Sequence, residues 1–258
     1  MTRSYDPAAV ARFVFEAHAA RRDYANLPPE IAPATIAEAY AAQDALAELL
    51  IPSEGAVAGL KIATTTKVMQ QLMGIDHPLG GMIFARRIHR SPAMLRLADH
   101  IHVVIECELA VRVGRDLPGT AWSAETVAPA VAAVMPAFEL IEDRRADYKR
   151  TQALSLIADN SWNAGVVLGA EIPFDPARPL TGLSGRLVIN GEAQHEGSTD
   201  DPLVALAWIA NLAAGRGRPL TSGMVVITGS VIPTLPIRPG DSFVFTLDGL
   251  GSTEIVAE

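Results

Sequence analysis

The chain has 258 residues, of which 49% are apolar and 19% are charged. That composition can bury a substantial core, so disorder is excluded as the main state, and the length suits one large domain or one domain with a small N-terminal elaboration. The 29 acidic residues outnumber the 21 Lys and Arg residues, which gives a formal net charge of −8. With no basic block in the chain, nucleic acid and anionic membrane surfaces are excluded as expected partners.

The sequence indicates a reducing compartment and no membrane segment. Its single cysteine, Cys107, cannot form an intrachain disulfide. Residues 1–7 lack the apolar core of a signal peptide. The longest apolar stretch, 127–138, contains two prolines and is too short to span a bilayer. We therefore expect a soluble, cytoplasmic protein.

Helices dominate the predictions for the first part of the chain. Apolar spacing and capping residues predict helices over 8–24, 33–50 and 66–73 and a short strand over 57–63. Pro52 and Gly55 are expected to end the second helix. Residues 75–92, rich in Gly, Pro and His, are predicted to form a long functional loop.

Beyond residue 100 the apolar period changes to two, which predicts strands. The predicted strands cover 101–113, 164–168, 185–190, 192–195, 224–230 and 242–247. Asn190-Gly191 predicts a hairpin, and Asp201 would cap a helix over 203–214. Because helices come first and strands later, without regular alternation, we predict an α+β fold with a largely antiparallel or mixed sheet and a soft boundary near residue 55.

The strand over 101–113 carries the sharpest chemical signal. Alternation places Cys107 on an apolar face, where it should be core, and places Glu106 and Glu108 together on the other face. Neighbouring carboxylates suit a hard cation such as Mg²⁺ or Mn²⁺. From the pattern alone, however, a solvated strand face is the commoner explanation.

A third carboxylate, Glu139, sits inside an apolar run, where a buried charge needs a partner. A metal shared with Glu106 and Glu108 would supply that partner. Glu142 and Asp143, at the end of the same run, are expected to face solvent or to pair with the arginines that follow them.

Two further segments are candidates for binding a substrate. Lys61 lies in a short apolar strand, where it either extends to solvent or reaches a site to hold a carboxylate or donate a proton. The turn Thr228-Gly229-Ser230 follows an apolar strand and either binds an anion or simply ends the strand. The chain shows no zinc spacing, nucleophile elbow or Gly-rich phosphate loop, so zinc, nucleotides and flavins are not expected.

Several short segments, taken in their order along the chain, point to one family. They are Gly59–Ala63, Thr65–Gln71, Gly74–Pro78, Glu106-x-Glu108, Pro136–Glu139, Ala158–Asn160, Pro202-Leu203, Ala207–Asn211, Thr228–Ser230, Pro239–Asp241 and Gly249–Ser252. As an ordered set they resemble the 2-keto-4-pentenoate hydratase / 4-oxalocrotonate decarboxylase family, within the fumarylacetoacetate hydrolase superfamily. The resemblance runs from about residue 35 to the C-terminus.

The resemblance implies a fold, a metal and a substrate class. It implies a fumarylacetoacetase C-terminal-like mixed β-roll with flanking helices over 56–258, after an N-terminal helical segment over 1–55. It implies Mg²⁺ or Mn²⁺ bound by Glu106, Glu108 and Glu139, with Lys61 near a 2-oxo acid substrate and 228–230 lining the carboxylate end. It also implies a homo-oligomer, able to associate with a related pathway enzyme.

The implied reaction adds water to a 2-hydroxy-2,4-dienoate, the enol of a 2-oxo-4-enoate, in aromatic-compound breakdown. Negative charge at the keto oxygen would be stabilised by the metal as an enolate. A decarboxylase of 4-oxalocrotonate type, an acylpyruvate C–C hydrolase and a non-catalytic partner subunit remain open as alternatives.

Two departures from the family pattern concern the delivery of water or protons. Leu79 stands where hydratases usually have an acidic residue, and leucine cannot relay a proton. Trp162 or Asn163 replaces a serine of the usual small-residue turn, which changes the volume and hydrogen bonding of the pocket. Asp76 or His77 is the hypothetical substitute acid or base, although a mobile surface role explains His77 more simply.

Overall fold

A computed structural model places residues 5–258, so the first four residues of the predicted N-terminal segment lie outside the described part. The helices are α1 (Pro7–Ala19), α2 (Ile36–Glu54), α3 (Lys67–Met73), α4 (Ala124–Val127), α5 (Ala153–Ala158) and α6 (Pro202–Gly215). The strands are β1 (Val57–Ala63), β2 (Leu79–Phe84), β3 (Ile88–Arg90), β4 (Ala93–Leu95), β5 (Val103–Val113), β6 (Val131–Glu142), β7 (Asn163–Leu168), β8 (Ile172–Pro173), β9 (Ser184–Ile189), β10 (Glu192–Ser198), β11 (Val225–Pro236), β12 (Ser242–Leu247) and β13 (Gly251–Ala257).

These strands form two mixed sheets, which confirms the predicted α+β class. The larger sheet has the order β2-β1-β11-β5-β6-β7-β3, with β8 paired to β6. Its β1–β11 and β3–β7 pairs are parallel, whereas β5 is antiparallel to both of its neighbours. The smaller sheet has the order β10-β9-β12-β13-β4. Because β5 and β6 lie inside the larger sheet, side chains on them are held by neighbouring strands on both sides.

The main core lies between the two sheets, against one face of β5. Ile105, Cys107 and Leu109 are each at most 1% exposed and belong to one cluster with Phe243 and Phe245 of β12. This confirms the predicted apolar face of β5 and the core position of the cysteine. Since successive side chains alternate, the glutamates of β5 emerge on the opposite face.

The two N-terminal helices differ from their predicted limits at the C-terminal ends. Helix α1 ends at Ala19 rather than at residue 24, because Arg21 takes a positive φ of 50°. Helix α2 continues through Pro52 to Glu54, and Gly55, with φ +82°, ends it. A proline in the last turn removes only one helical hydrogen bond. None of the helices within residues 5–258 combines the length and apolarity needed to cross a membrane.

The prediction of a long loop over 75–92 is wrong, because this stretch contains β2 and β3. All six residues of β2 are buried. A Cβ at Gly80 would lie 2.9 Å from the Ile209 side chain, and one at Gly81 would lie 2.8 Å from the Asn160 carbonyl oxygen. The glycines that suggested a loop therefore allow close packing inside a strand.

Candidate metal and substrate site

Three carboxylates meet on the face of the larger sheet that is turned away from the main core. Glu106 and Glu108 extend from β5, and the strand register places Glu139 of β6 directly opposite Glu106. One oxygen from each of the three lies within 4.8 Å of the others. The structure thus brings together the three residues that the sequence grouped as metal ligands.

Two of these carboxylates are fully buried, and in each of them only one of the two oxygens has a hydrogen-bond partner. Glu108 and Glu139 are 0% exposed. Glu108 Oε2 accepts the Gly229 N–H at 2.6 Å, and Glu139 Oε1 accepts from Asn163 Nδ2 at 2.9 Å. Their other oxygens, Glu108 Oε1 and Glu139 Oε2, have no partner in the described part of the chain. Such unpaired buried oxygens are costly unless a ligand completes them.

The acidity of these groups follows from burial. Burial raises the pKa of Glu139 to about 7, although the positive charge of Lys61 acts in the opposite direction. Burial also raises the pKa of Glu108 well above the usual range, and the neighbouring charge of Glu139 adds to this effect. Both carboxylates therefore need a positive charge close by to remain ionised at neutral pH.

Lys61 supplies one positive charge from β1. It is 3% exposed, and its Nζ lies 2.9 Å from Glu139 Oε1 and donates to the Ser161 carbonyl oxygen at 3.1 Å. Burial alone would lower the pKa of Lys61, but Glu139 and Glu106 outweigh burial and the pKa is raised. The absence of a side chain at Gly81 makes room for the lysine, because a Cβ there would meet Lys61 Cγ at 2.9 Å. Lys61 therefore reaches the site as an ammonium group.

A strained turn forms the wall beside Lys61. Asn160, Ser161 and Trp162 have φ values of 51°, 48° and 58°, a region that L residues other than glycine rarely adopt. The Asn160 side chain holds the turn to β2, because it accepts the Met82 N–H at 2.7 Å and donates to the Met82 carbonyl oxygen at 2.9 Å. Three such residues in a row are strained, and they persist because contacts such as these hold the turn in shape.

Of the three carboxylates, Glu106 lines a cavity of about 530 Å³. Its polar lining comes from Lys61, Thr64, Thr65, Thr66, Glu106, Tyr148, Ser161, Ser230 and Thr234. Its apolar lining comes from Ile62, Ala63, Met69, Met73, Ile141, Leu156, Trp162, Val231, Ile232 and Pro233. The buried indole N–H of Trp162 has no hydrogen-bond partner within the described residues. The cavity therefore combines a charged end with apolar walls.

Only some of the residues that were predicted to bind substrate line this cavity. Trp162 and Ser230 line the cavity, whereas the Asn163 amide is turned to Glu139. Thr228 donates to the Leu109 carbonyl oxygen at 2.9 Å, and the Gly229 N–H is already bonded to Glu108. The turn 228–230 therefore positions the Glu108 carboxylate and presents only Ser230 to this cavity.

Three residues of the 74–79 segment lie away from this cavity. Leu79 is 0% exposed and packs in an apolar cluster with Tyr40 and Met73. Asp76 is exposed at the surface. The His77 Nδ1 lies 2.7 Å from the Pro78 carbonyl oxygen, and its ring stacks on Trp208 beside an adjoining cavity of about 300 Å³. Neither Asp76 nor His77 is in contact with the carboxylates, so the geometry does not favour them as the substitute acid or base.

Sequence reasoning missed Thr234 and Tyr148. The Thr234 hydroxyl donates to Glu106 Oε1, and the Tyr148 ring lines the cavity. Strand β11 was predicted to end at residue 230, but it continues to Pro236 through several register shifts against β5, which brings Thr234 to Glu106. No periodic pattern marks Tyr148.

The expectation for Glu142 and Asp143 is wrong. Glu142 pairs with His100 Nδ1 at 2.7 Å, and Asp143 pairs with His102 Nδ1 at 2.6 Å. Asp143 is 3% exposed, so it does not face solvent. The pairing of β5 with β6 brings the chain before β5 alongside the end of β6, and its histidines become the partners in place of the neighbouring arginines.

Proteins named as hydratases are similar in sequence to this chain. A 2-keto-4-pentenoate hydratase from Burkholderia vietnamiensis (strain G4) is 29% identical over 249 residues, which cover 95% of each chain. A 2-hydroxyhexa-2,4-dienoate hydratase from Comamonas testosteroni is 28% identical over 248 residues, which cover 94% of each chain.

Solved structures share the architecture. A 4-oxalocrotonate decarboxylase from Pseudomonas putida G7, complexed with magnesium and adipate, superimposes with a TM-score of 0.90 and 25% identity over 100% of both chains. A fumarylpyruvate hydrolase from Pseudomonas aeruginosa has a TM-score of 0.58 and 14% identity, covering 77% of this chain and 88% of that one, so it shares the fold alone.

The family model for the C-terminal part of fumarylacetoacetate hydrolase matches residues 77–256, which is more than half of the chain. The resemblance inferred from the sequence is thereby confirmed. With relatives that are hydratases and a close structural neighbour that is a decarboxylase, the protein is an enzyme of the lyase or hydratase kind. The chain belongs to the fumarylacetoacetate hydrolase C-terminal family.

Proposed function

We propose that the protein is a Mg²⁺-dependent hydratase that adds water to a 2-hydroxy-2,4-dienoate in the breakdown of aromatic compounds. The observation that carries the proposal is the group of three carboxylates, two of them fully buried with an unpaired oxygen, beside the Lys61 ammonium. The relatives named 2-keto-4-pentenoate hydratase and 2-hydroxyhexa-2,4-dienoate hydratase support this choice of substrate class.

The three carboxylates suit a hard divalent cation. Glu106, Glu108 and Glu139 would hold Mg²⁺ or Mn²⁺ through oxygen, the donor that both ions favour. The unpaired Glu108 Oε1 and Glu139 Oε2 are natural first ligand atoms, because no donor among residues 5–258 competes for them. When bound, such an ion supplies Lewis-acid stabilisation of the negative charge that develops on a 2-keto oxygen.

Lys61 and Trp162 would bind and orient the substrate. An ammonium group has three donors, and the described contacts of Lys61 use two of them, with Glu139 and with the Ser161 carbonyl oxygen. The third donor remains for a substrate carboxylate or keto oxygen. The unpaired indole N–H of Trp162 is a second donor at the cavity wall.

The apolar walls exclude water and accept the hydrocarbon part of the substrate. The apolar side chains that line the cavity include Met69, Met73, Ile141 and Leu156. Burial of the diene against them would leave the carboxylate end to Lys61. We further propose that the enzyme works in the cytoplasm, as the sequence predicts, and that it is a homo-oligomer, as the family resemblance implies.

Decarboxylation of a 4-oxalocrotonate-type acid is the second candidate. Leu79, at the position where hydratases usually have an acid, is buried in an apolar cluster and cannot deliver a proton. A close structural neighbour is itself a 4-oxalocrotonate decarboxylase. Loss of CO₂ would use the same carboxylates and Lys61 but would need no added water.

The proposal is tested by mixing the enzyme with 2-hydroxypenta-2,4-dienoate, with and without Mg²⁺, and following the dienol ultraviolet band and the products by NMR. Mg²⁺-dependent formation of 4-hydroxy-2-oxopentanoate is expected for the wild type and for Glu196→Gln, an exposed control. Glu106→Ala should abolish it. Loss of CO₂ from 4-oxalocrotonate without any hydration would overturn the hydratase in favour of the decarboxylase.

A further inference from the structure

A series of three hydrogen-bonded side chains, Tyr148, Asp143 and His102, leads from the cavity to the protein surface. The Tyr148 hydroxyl donates to Asp143 Oδ2 at 3.1 Å, and Asp143 Oδ1 lies 2.6 Å from His102 Nδ1. The Arg145 N–H also donates to Asp143 Oδ1 at 2.9 Å, which fixes the carboxylate. Asp143 is buried, whereas the His102 side chain is 43% exposed. The middle residue of the series is therefore shielded from solvent, and its last residue, His102, is accessible to solvent.

The first residue of the series, Tyr148, lies in the wall of the cavity. Tyr148 lines the cavity that holds Lys61 and Glu106, and it also lines a shallow outer pocket with His102 and Asp143. The edge of Trp162 meets the Tyr148 ring at 5.3 Å and 74°, which holds the phenol in place. One tyrosine thus separates the cavity from a solvent-facing histidine–carboxylate pair.

We propose that Tyr148, Asp143 and His102 form a proton path that takes a proton from the reacting water, or from substrate carbon, and passes it to solvent. This role rests on the proposed function. It also answers the question that Leu79 raises, since Leu79, Asp76 and His77 do not provide a proton-transfer group at the cavity.

The direction of the first hydrogen bond sets the direction of transfer. As the water oxygen bonds to the substrate carbon, one water O–H bond breaks and its proton goes to the Tyr148 oxygen. The hydroxyl proton of Tyr148 moves to Asp143, so the phenol is restored and Asp143 is left neutral until its proton leaves through His102. The π electron pair moves to the next carbon, and a proton that returns from solvent along the same three side chains is then taken up there. Burial and the charge of Asp143 raise the pKa of Tyr148, so no free phenolate accumulates.

The first test compares Tyr148→Phe with Tyr24→Phe. Tyr24 meets the same Trp162 ring at 4.9 Å from outside the cavity, and its hydroxyl bonds to Asn26 at 3.2 Å. We expect Tyr148→Phe to lower kcat about a hundredfold with KM nearly unchanged, and Tyr24→Phe to leave both within about twofold. Calorimetric Mg²⁺ binding should be the same in both variants. A kcat of Tyr148→Phe within about twofold of wild type would overturn the path.

The second test is chemical rescue at the exposed end. His102→Ala should lose most of its activity and regain part of it when imidazole is added, because imidazole can take the place of the missing ring beside Asp143. Rescue by imidazole is not expected of a residue with a purely structural role. Loss of activity that imidazole leaves unchanged would overturn the assignment of His102.

A third measurement separates the path from the proposed reaction. In D₂O with Mg²⁺, the wild type should exchange the C3 protons of 2-oxopentanoate, a step that needs neither hydration nor decarboxylation, and Tyr148→Phe should exchange them much more slowly. If the wild type exchanges but hydrates no dienoate, the proposed function fails and slow exchange in Tyr148→Phe still supports the path. Exchange in that variant at the wild-type rate overturns the path, as does a wild type that neither hydrates nor exchanges.

Discussion

Glu139 and Glu142 lie three positions apart on β6, yet their surroundings are opposite. Glu142 accepts the N–H groups of Ile101 and His102 at 3.0 and 2.8 Å and pairs with His100 at 2.7 Å. Burial tends to raise the pKa of Glu142, but these bonds outweigh burial and lower it. Glu139 keeps an oxygen without a partner, and burial raises its pKa to about 7.

The proposed function gives these two carboxylates different roles, a structural one for Glu142 and a metal-binding one for Glu139. Glu142 finds all its partners within the protein and ties the chain before β5 to the end of β6. Glu139 and Glu108 each keep a buried oxygen without a partner among the described residues, which a positive ligand would complete. Within one strand, the degree of hydrogen-bond satisfaction indicates the role better than burial does.

The largest effect is expected from breaking the buried ion pair. Lys61→Met would leave Glu139 as a buried charge supported only by Asn163, so the free energy of unfolding in EDTA should fall by about 3–5 kcal/mol. Urea unfolding measures this. The exposed Lys149→Met should change stability by less than about 0.5 kcal/mol. An equal stability of both variants would mean that Lys61 does not stabilise Glu139.

Removing one metal ligand should abolish stabilisation by Mg²⁺. At an Mg²⁺ concentration about 100 times Kd, the wild type should gain about 2.7 kcal/mol in free energy of unfolding, and Glu108→Gln should gain nothing. The glutamine can still accept the Gly229 N–H, so the fold should persist. Thermal unfolding with and without Mg²⁺ is the measurement, and an undiminished Mg²⁺ effect in Glu108→Gln would remove Glu108 from the ligand set.

The same variant has a predicted pH dependence in EDTA. The folded pKa of Glu108 lies above its unfolded value, so its ionised form opposes folding as pH rises above about 4.3. Glu108→Gln should therefore equal the wild type at acid pH and be the more stable protein at pH 7. A metal-free variant that is less stable than the wild type at pH 7 would contradict this sign.

Glu142→Gln should show the opposite pH dependence. The folded pKa of Glu142 is lowered, so its stabilising effect is present above the unfolded pKa of about 4.3 and is lost as pH falls through the folded pKa. At pH 7 we expect a loss of about 2 kcal/mol, the scale of hydrogen bonds to a charged acceptor. Urea unfolding at several pH values would test this, and a loss that persists in acid would mean that charge is not involved.

Local rules suggested the carboxylate cluster, and the family resemblance favoured it over a solvated strand face. Alternation along β5 fixes which face carries Glu106 and Glu108, and a carboxylate inside an apolar run requires a partner wherever it lies. Lys61 stood out for the same reason, as a charge inside an apolar strand. These arguments use only the residue types within one segment and do not require knowledge of the segments that pack against it.

The surroundings of the cluster depend on packing between distant segments. The glycines of β2 suggested a loop, because their close contacts with α6 and with the 160–162 turn are not visible in the sequence. Asp143 meets His102 because the register of β5 and β6 sets Val103 opposite Glu142. A pattern restricted to neighbouring residues could not select that partner over an adjacent arginine.

Substitution of Thr234 should have the smallest effect of these variants. Thr234 supports Glu106, which is intermediate between the fully hydrogen-bonded Glu142 and the incompletely bonded Glu139. Glu106 is half-buried, and the Thr234 hydroxyl donates to only one of its oxygens. Thr234→Val keeps the shape of the side chain but removes that bond, so Mg²⁺ binding should weaken about tenfold, as for other partners of metal ligands. Calorimetric titration measures the Kd, and Thr246→Val, at an exposed position of β12, should not change it. An unchanged Kd in Thr234→Val would mean that Glu106 is positioned by its strand alone. The contrast between Glu142 and Glu139 would then be a matter of backbone register, and hydrogen bonds from neighbouring side chains would not be needed to explain it.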